Sequence, residues 1–344
     1  MSGITKKAHL NLALIGCGRI AESHLEAIAQ NPECTLLSAA DVRKEAAQKV
    51  ADKFGCQAFT DYRQVLNNPE VEAVIVCTPP ATHAEIALFF LDHGIHVLCE
   101  KPLAVHVQDA LLMAQKAQQK GLMLMMASKF RYVEDVISAK RLLASGLLGE
   151  AVVFENVFSG KVDMAQRWNS QKELSGGGVL MDNGCHSIDI ARYLLGAIVE
   201  VQAMAGKRVQ PIDVEDTALI CLRTASGVTG TIDLSWSIQK ERDSFIDIYG
   251  TRGVIHIGWR SSKYKLHENS IWVPFGAGYD KLRAFSAQLK NFAGAIKHGE
   301  APVIDLQDAL ESVRVIAAAY HAMHTNKWVK IEDAETLNAV RKAA

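Results

Sequence analysis

The sequence predicts a doubly wound α/β domain over residues 8–127, followed over residues 128–332 by an α+β domain with a mostly antiparallel sheet. Three observations carry this reading. Apolar runs without polar alternation recur in the first part, separated by stretches of helical period. The first of these runs leads directly into a glycine-rich loop. Beyond residue 128 the runs stand closer together and are joined by glycine-containing turns.

In the first part, LNLALI (10–15), TLLSAA (35–40), EAVIVC (72–77), IHVLCE (95–100) and LMLMMA (122–127) lack polar alternation. Strands apolar on both faces belong to a parallel sheet covered by helices on each side. Between them lie ESHLEAIAQ, KEAAQKVADKFG, THAEIALFFLDHG and VQDALLMAQKAQQKG, each with helical periodicity. Gly94 and Gly121 stop two of these helices just before the next strand, as C-caps do. Alternation of strand and helix in this manner defines a doubly wound domain.

In the second part, VISAKRLLASGLLG reads as a helix leading through Gly146 and Gly149 into the strand AVVFENVFSG. VEVQAMAGKRV, DTALICLRT, GVTGTIDLSWSI, SFIDIYG and GVIHIG follow, with turns at Ser226-Gly227 and from Gly250 to Gly253. Such spacing predicts hairpins and an antiparallel sheet. Two helices, YDKLRAFSAQLKNFAGAIKHG and DLQDALESVRVIAAAYHAMH, come near the end, and KWVKI is expected to pair as an edge strand.

Composition removes several function classes. The 344 residues carry a formal net charge of −1 with 22% charged residues, so no basic stripe marks a nucleic-acid partner. No window approaches the roughly 20 apolar residues needed to cross a bilayer, and no signal-peptide pattern precedes the first strand. A soluble, cytoplasmic protein is expected. The seven cysteines include no CxxC pair and sit mostly in apolar runs, which reads as reduced core thiols. His93/His96 and His321/His324 have one-turn spacing but lack further ligands nearby, so no metal is expected.

The loop after the first strand reads Gly16-Cys17-Gly18-Arg19-Ile20-Ala21 and enters a helix. Gly16 makes the tight turn, Gly18 lets the backbone approach a pyrophosphate, and the small Ala21 permits close helix–strand packing. Asp41 ends the second strand 20 residues after Ala21, where a carboxylate accepts hydrogen bonds from ribose hydroxyls and repels a 2′-phosphate. NAD is therefore the expected cofactor. Arg43, two residues on, keeps NADP open, because a nearby arginine accommodates a phosphate.

In an open α/β sheet the ligand lies beyond the C-terminal strand ends. Two such ends stand out, Thr78-Pro79-Pro80 and Glu100-Lys101-Pro102, and the second proline is a candidate for a cis bond. Taken alone, Lys101 reads first as a solvated lysine before a helix-starting proline. Further on, Gly176-Gly177-Gly178 precedes a helix on which Asp182, His186 and Asp189 share one face at i, i+4 and i+7. The three glycines are expected to let the backbone approach a ligand closely. Alcohol oxidation needs a base for the hydroxyl proton, and the free pKa of histidine lies nearest neutrality. A carboxylate orients such an imidazole, and a lysine polarises the reacting oxygen. Out of context, an Asp and a His one turn apart more often form a surface pair.

Together, LALIGCGRIAESHLEAI, VIVCTPPATHAEIALFFLDHGIHVLCEKPLA and GGGVLMDNGCHSIDIARYLLG, in this order and spacing, resemble the Gfo/Idh/MocA oxidoreductases. That family is named for glucose–fructose oxidoreductase and inositol dehydrogenase. The resemblance covers nearly the whole chain. It implies a Rossmann domain followed by a domain with a large open, mostly antiparallel sheet that binds substrate and mediates homodimer or homotetramer contacts. It implies catalytic roles for Lys101, Asp182 and His186, with His186 as general base. It also implies that Glu100, Thr78 and Pro79 face the nicotinamide half of the cofactor, with His83 close behind. Pro80 departs from the Asn of many relatives, which removes the basis for an amide contact there.

The activity implied is hydride transfer between nicotinamide and a secondary alcohol or ketone of a sugar, cyclitol or sugar derivative. Lys129, Arg131, Arg167, Trp168 and Tyr279 fall near positions that face substrate in relatives, and Lys129 with Arg131 points to an anionic group. A reductase of nucleotide-sugars or other carbonyls is the alternative within the fold. A nucleotide-sensing regulator is the alternative outside catalysis, and Lys101, Asp182 and His186 together argue against it.

Overall fold

The apolar runs of the first part form a six-stranded sheet in the computed structural model, which describes residues 9–269 and 271–331. Its strands are β1 (Leu10–Ile15), β2 (Cys34–Ala40), β3 (Gln57–Phe59), β4 (Ala73–Val76), β5 (His96–Glu100) and β6 (Leu124–Ala127). All pair in parallel, in the order β3-β2-β1-β4-β5-β6. Helices α1 (Arg19–Gln30), α2 (Lys44–Phe54), α3 (His83–Asp92) and α4 (Val107–Lys120) alternate with them. Every residue of β4 and β6 is buried, which is why these strands read as unbroken apolar runs. β3 was not foreseen, since its three partly exposed residues are too few to form such a run.

Strand order reverses between β1 and β4, so the chain leaves these neighbours in opposite directions and opens a crevice at their C-terminal ends. Gly16, at the end of β1, has φ +89°, and a Cβ there would stand 2.8 Å from the Cys77 carbonyl carbon. A side chain at this position would push the loop off the neighbouring strand.

The later strands form a nine-stranded sheet from β7 (Ala151–Ser159), β8 (Ile198–Ala205), β9 (Thr217–Thr224), β10 (Thr229–Ser235), β11 (Ser244–Gly250), β12 (Gly253–Gly258), β13 (Ser262–Leu266), β14 (Val273–Gly276) and β15 (Val329–Lys330). Their order is β14-β13-β12-β11-β7-β10-β9-β8-β15. Pairing is antiparallel except between β7 and β10. The β9–β10 and β11–β12 hairpins turn where predicted, and β15 closes one edge against β8. Helices α5 (Glu134–Ala144), α6 (Lys172–Ser175) and α7 (Val179–Leu195) lie among these strands in sequence, and α5 and α7 pack on one face of the sheet. The strands alternate accordingly: Ala218, Ile220 and Leu222 of β9 are buried while Leu219 and Cys221 are partly exposed.

The last helices are α8 (Lys281–His298) and α9 (Leu306–Thr325). Two compact units result. Of the described residues, one holds the parallel sheet with 9–104, 109–129 and 281–309; the other holds 105–108, 130–269, 271–280 and 310–331. Residues 281–309 thus cluster with the parallel sheet, where α8 packs on α1. Among the described residues, no helix is long and apolar enough to cross a membrane.

Candidate functional site

In the first unit, the glycine loop opens α1 without any capping side chain, and a Cβ at Gly18 would meet nothing within 4 Å. Space is therefore open beside Gly18 at the start of the helix, an arrangement suited to an anionic group. Asp41, at the end of β2, ties this loop to its own strand. Its Oδ2 accepts the Cys17 amide at 2.8 Å, and its Oδ1 accepts the Arg43 amide at 2.9 Å and Nε at 3.1 Å. Burial raises the Asp41 carboxyl, but the hydrogen bonds from Arg43 and Cys17 outweigh it and hold the group below its ordinary range. An ionised carboxylate thus stands beside the loop, with the exposed Arg43 side chain folded onto it. Burial and the Asp41 charge push the Cys17 thiol up to about 12, so it is no nucleophile near neutrality. An uncapped helix start, an open glycine and an ionised acid at the second strand end fit a dinucleotide. Arg19 is exposed and Ile20 half-buried in the first turn of α1.

The two strand ends singled out in the sequence are joined by one buried ring. His83, wholly buried, places Nδ1 2.8 Å from the Pro102 carbonyl oxygen and Nε2 2.9 Å from that of Thr78. It stands behind both turns, as expected, and none of its own surface is exposed. Burial lowers its pKa. Thr78 and Pro79 remain half-buried, and the Thr82 hydroxyl donates to the Pro79 carbonyl at 2.8 Å. The Lys101–Pro102 bond is cis, and Lys101 is half-buried.

Glu100 is buried, not displayed. Its Oε1 lies 2.8 Å from His24 Nε2, and its Oε2 accepts the Lys101 amide at 3.2 Å. Burial raises this carboxyl, yet the His24 hydrogen bond and the charges of His24, Lys101 and Lys129 bring it below its ordinary value. His24 was missed in the sequence. The available signal was a histidine on the buried face of α1, among Ala21, Leu25 and Ile28. Phe285 of α8 meets the ring edge-on at 4.8 Å, and Lys129 Nζ stands 5.6 Å from the same phenylalanine.

In the second unit, α7 carries Asp182, half-buried, and His186, nearly buried, one turn apart. The glycines before it are filled by the protein itself, contrary to the expected approach of a ligand. A Cβ would come within 2.5 Å of Val105 Cγ1 at Gly176, 1.9 Å of the Tyr320 hydroxyl at Gly177, and 2.0 Å of the Glu215 carbonyl oxygen at Gly178. Glu215 Oε1 accepts the amides of Gly178 and Leu180 at 3.0 and 3.1 Å and the Tyr320 hydroxyl at 2.8 Å. A half-buried carboxylate on the first turn of α7 satisfies helix donors that would otherwise lack partners, and its charge suits the positive end of the helix.

Arg131 is not available to a substrate. It is 2% exposed and forked onto the wholly buried Asp189, with Nε 3.0 Å from both carboxylate oxygens and Nη2 2.7 Å from Oδ1. A buried arginine left without its partner is costly, so the pair is a fixture of the core, and the anionic group inferred from Lys129 with Arg131 loses half its basis. Tyr279 is half-buried and stacks on Phe130 at 5.2 Å, while Phe130 meets the His186 ring at 5.0 Å. Arg167 and Trp168 lie at a short 3-10 turn, where the Trp168 indole is exposed. Among the described residues no cluster of metal-binding side chains occurs.

Known proteins resemble this chain over most of its length. Residues 10–128 match the family model described as an oxidoreductase family with NAD-binding Rossmann fold. Residues 136–256 match the GFO/IDH/MocA C-terminal domain. The chain is 25% identical to a myo-inositol 2-dehydrogenase of Thermotoga maritima over 94% of its length and 99% of the relative. It is 29% identical to a levoglucosan dehydrogenase of Pseudarthrobacter phenanthrenivorans, over 72% of this chain and 73% of that one. An NAD binding oxidoreductase from Klebsiella pneumoniae superimposes with a TM-score of 0.85 at 25% identity, covering 94% of this chain and 100% of the other.

Proposed function

The chain belongs to the GFO/IDH/MocA oxidoreductase family, with an NAD-binding Rossmann domain, and we propose that it oxidises a secondary alcohol of a sugar, cyclitol or related polyol. The observation that carries the reading is α7, which presents Asp182 and His186 one turn apart on a helix anchored by Glu215 and Tyr320. The names of the inositol and levoglucosan dehydrogenases support the choice of a polyol.

Bound NAD supplies the acceptor for the hydride that leaves carbon. His186 takes the hydroxyl proton as general base. Asp182 orients the imidazole and stabilises its charged form. Lys101 donates a hydrogen bond to the reacting oxygen as it gains negative charge. Asp41 accepts hydrogen bonds from ribose hydroxyls and disfavours a 2′-phosphate, so NAD is preferred to NADP. Thr78, Pro79 and the Glu100–Lys101 turn shape the nicotinamide side of the crevice, with His83 holding the two turns together from behind. Ketone reduction runs the same proton steps in reverse.

Absorbance of the reduced nicotinamide tests this directly. Purified protein is offered NAD or NADP with inositols, aldoses, uronates and nucleotide-sugars. Turnover of a polyol by the wild type and not by Lys101→Met supports the proposal. Turnover that survives in Lys101→Met, or is confined to nucleotide-sugars, rejects it.

A further inference from the structure

The aromatic side chains of the second unit form one continuous cluster. Phe130 lies at its centre, with ring centroids 5.1 Å from Phe158, 5.8 Å from Phe245 and 5.0 Å from His186. Trp259 closes the far side, 4.5 Å from Phe245 and 5.6 Å from Tyr279. The three phenylalanines are buried, whereas Trp259 keeps 41% of its surface exposed. An indole packed among aromatic rings and left half-exposed has apolar ring surface available to a ligand.

That surface is held in place from below. The Trp259 carbonyl accepts the Tyr279 amide at 3.0 Å. Gly278, at φ +92°, lies so close that a Cβ there would come within 2.5 Å of the same carbonyl oxygen. Asp135 of α5, 3% exposed, accepts the Gly278 amide at 2.8 Å and the Ser262 hydroxyl at 2.5 Å. One buried carboxylate therefore ties together the start of β13 and the segment after β14. Burying an acid is unfavourable unless it is hydrogen-bonded or paired. Here it fixes the two segments that carry Trp259 and Tyr279, so ordering them costs nothing further when a ligand arrives.

We propose that Trp259 is a substrate-binding platform that takes the C–H face of a cyclic polyol, a pyranose or a cyclitol. The proposal deepens the dehydrogenase reading and rests on His186 being the base, because the platform belongs to the same aromatic cluster as that imidazole. Ring C–H bonds carry partial positive charge and pack against the negative face of the indole. Hydroxyl groups on the ring's edge remain free for polar partners. A cyclic polyol offers a contiguous C–H face, whereas an open-chain alditol turns its hydroxyls to all sides.

The test is saturation-transfer NMR on the full chain loaded with NADH, which permits binding of an alcohol without turnover. Affinities for myo-inositol, glucose and sorbitol are compared in wild type, Trp259→Ala and Trp259→Phe. Trp259→Ala is expected to weaken the two cyclic polyols by about 3- to 10-fold, the scale of one aromatic contact. Trp259→Phe keeps a ring in the cluster and loses less, and neither variant changes the response to sorbitol. Unchanged affinity for cyclic polyols in Trp259→Ala overturns the platform, as does the absence of cyclic-polyol binding to the wild type. Binding at Trp259 without Lys101-dependent turnover in the absorbance assay overturns the dehydrogenase reading alone.

Discussion

The Tyr320 hydroxyl occupies the place where a side chain at Gly177 would begin, 1.9 Å from the position of a Cβ there. The same hydroxyl donates to Glu215 Oε1, which in turn accepts two amides at the start of α7. Gly177→Ala is therefore expected to cost about 1–3 kcal/mol through overpacking. Tyr320→Phe is expected to cost a similar amount through loss of a hydrogen bond to a half-buried carboxylate, about 1–3 kcal/mol. Since both changes act on one contact, the double variant should lose less than their sum. Urea denaturation of the four proteins measures this, and strict additivity counts against the contact.

Lys101→Met and His186→Ala are each expected to lower kcat by more than about 10²-fold, the scale of an acid–base group. NADH binding, followed by its fluorescence, should persist in both. Near-wild-type turnover in either variant removes that residue from the mechanism.

Asp41→Ser removes the carboxylate that the Cys17 and Arg43 amides hold ionised. The KM for NAD should rise by about tenfold or more, the worth of a charged hydrogen bond. NADP should become a better cofactor at the same time, because Arg43 is released from its ion pair. An unchanged ratio of kcat/KM for the two cofactors argues that selection lies elsewhere.

Glu215 links this architecture to pH. Burial raises its carboxyl above the ordinary glutamate value of 4.5, against the hydrogen bonds from Tyr320, Leu180 and Gly178 that lower it. A raised folded pKa means that the native chain keeps a proton the unfolded chain has released. The associated stability is fully present below the unfolded value and is lost as pH rises through the folded one. Glu215→Gln lacks this slope, so the Tm of the wild type should fall relative to the variant on going from about pH 4 to 8. Parallel Tm profiles across that range would contradict the sign.

The parallel sheet was legible because its strands are buried on both faces and so spell continuous apolar words. Its glycine loop and Asp41 were legible because close approach and charge restrict which residues fit. The β9–β10 and β11–β12 hairpins showed through their turns. What escaped notice depends on contacts distant in sequence. Nothing near Arg131 announces that Asp189 neutralises it, and nothing near His24 announces Glu100. The run of three glycines was visible, but its cause was not, since Val105, Glu215 and Tyr320 come from three other segments. Likewise β3 and β14 are too short and exposed for periodicity to register.

The packing of α8 on α1 gives the molecule an order of assembly. His24 of α1 meets Phe285 of α8, although 261 positions separate them along the chain. A ribosome that has delivered all six strands of the parallel sheet has not yet delivered the helix that covers α1. Until residues 281–309 emerge, the nascent nucleotide-binding unit exposes an apolar flank beside the His24–Glu100 pair. A fragment ending near residue 130 lacks that cover, so the compact unit that carries the glycine loop is discontinuous in sequence.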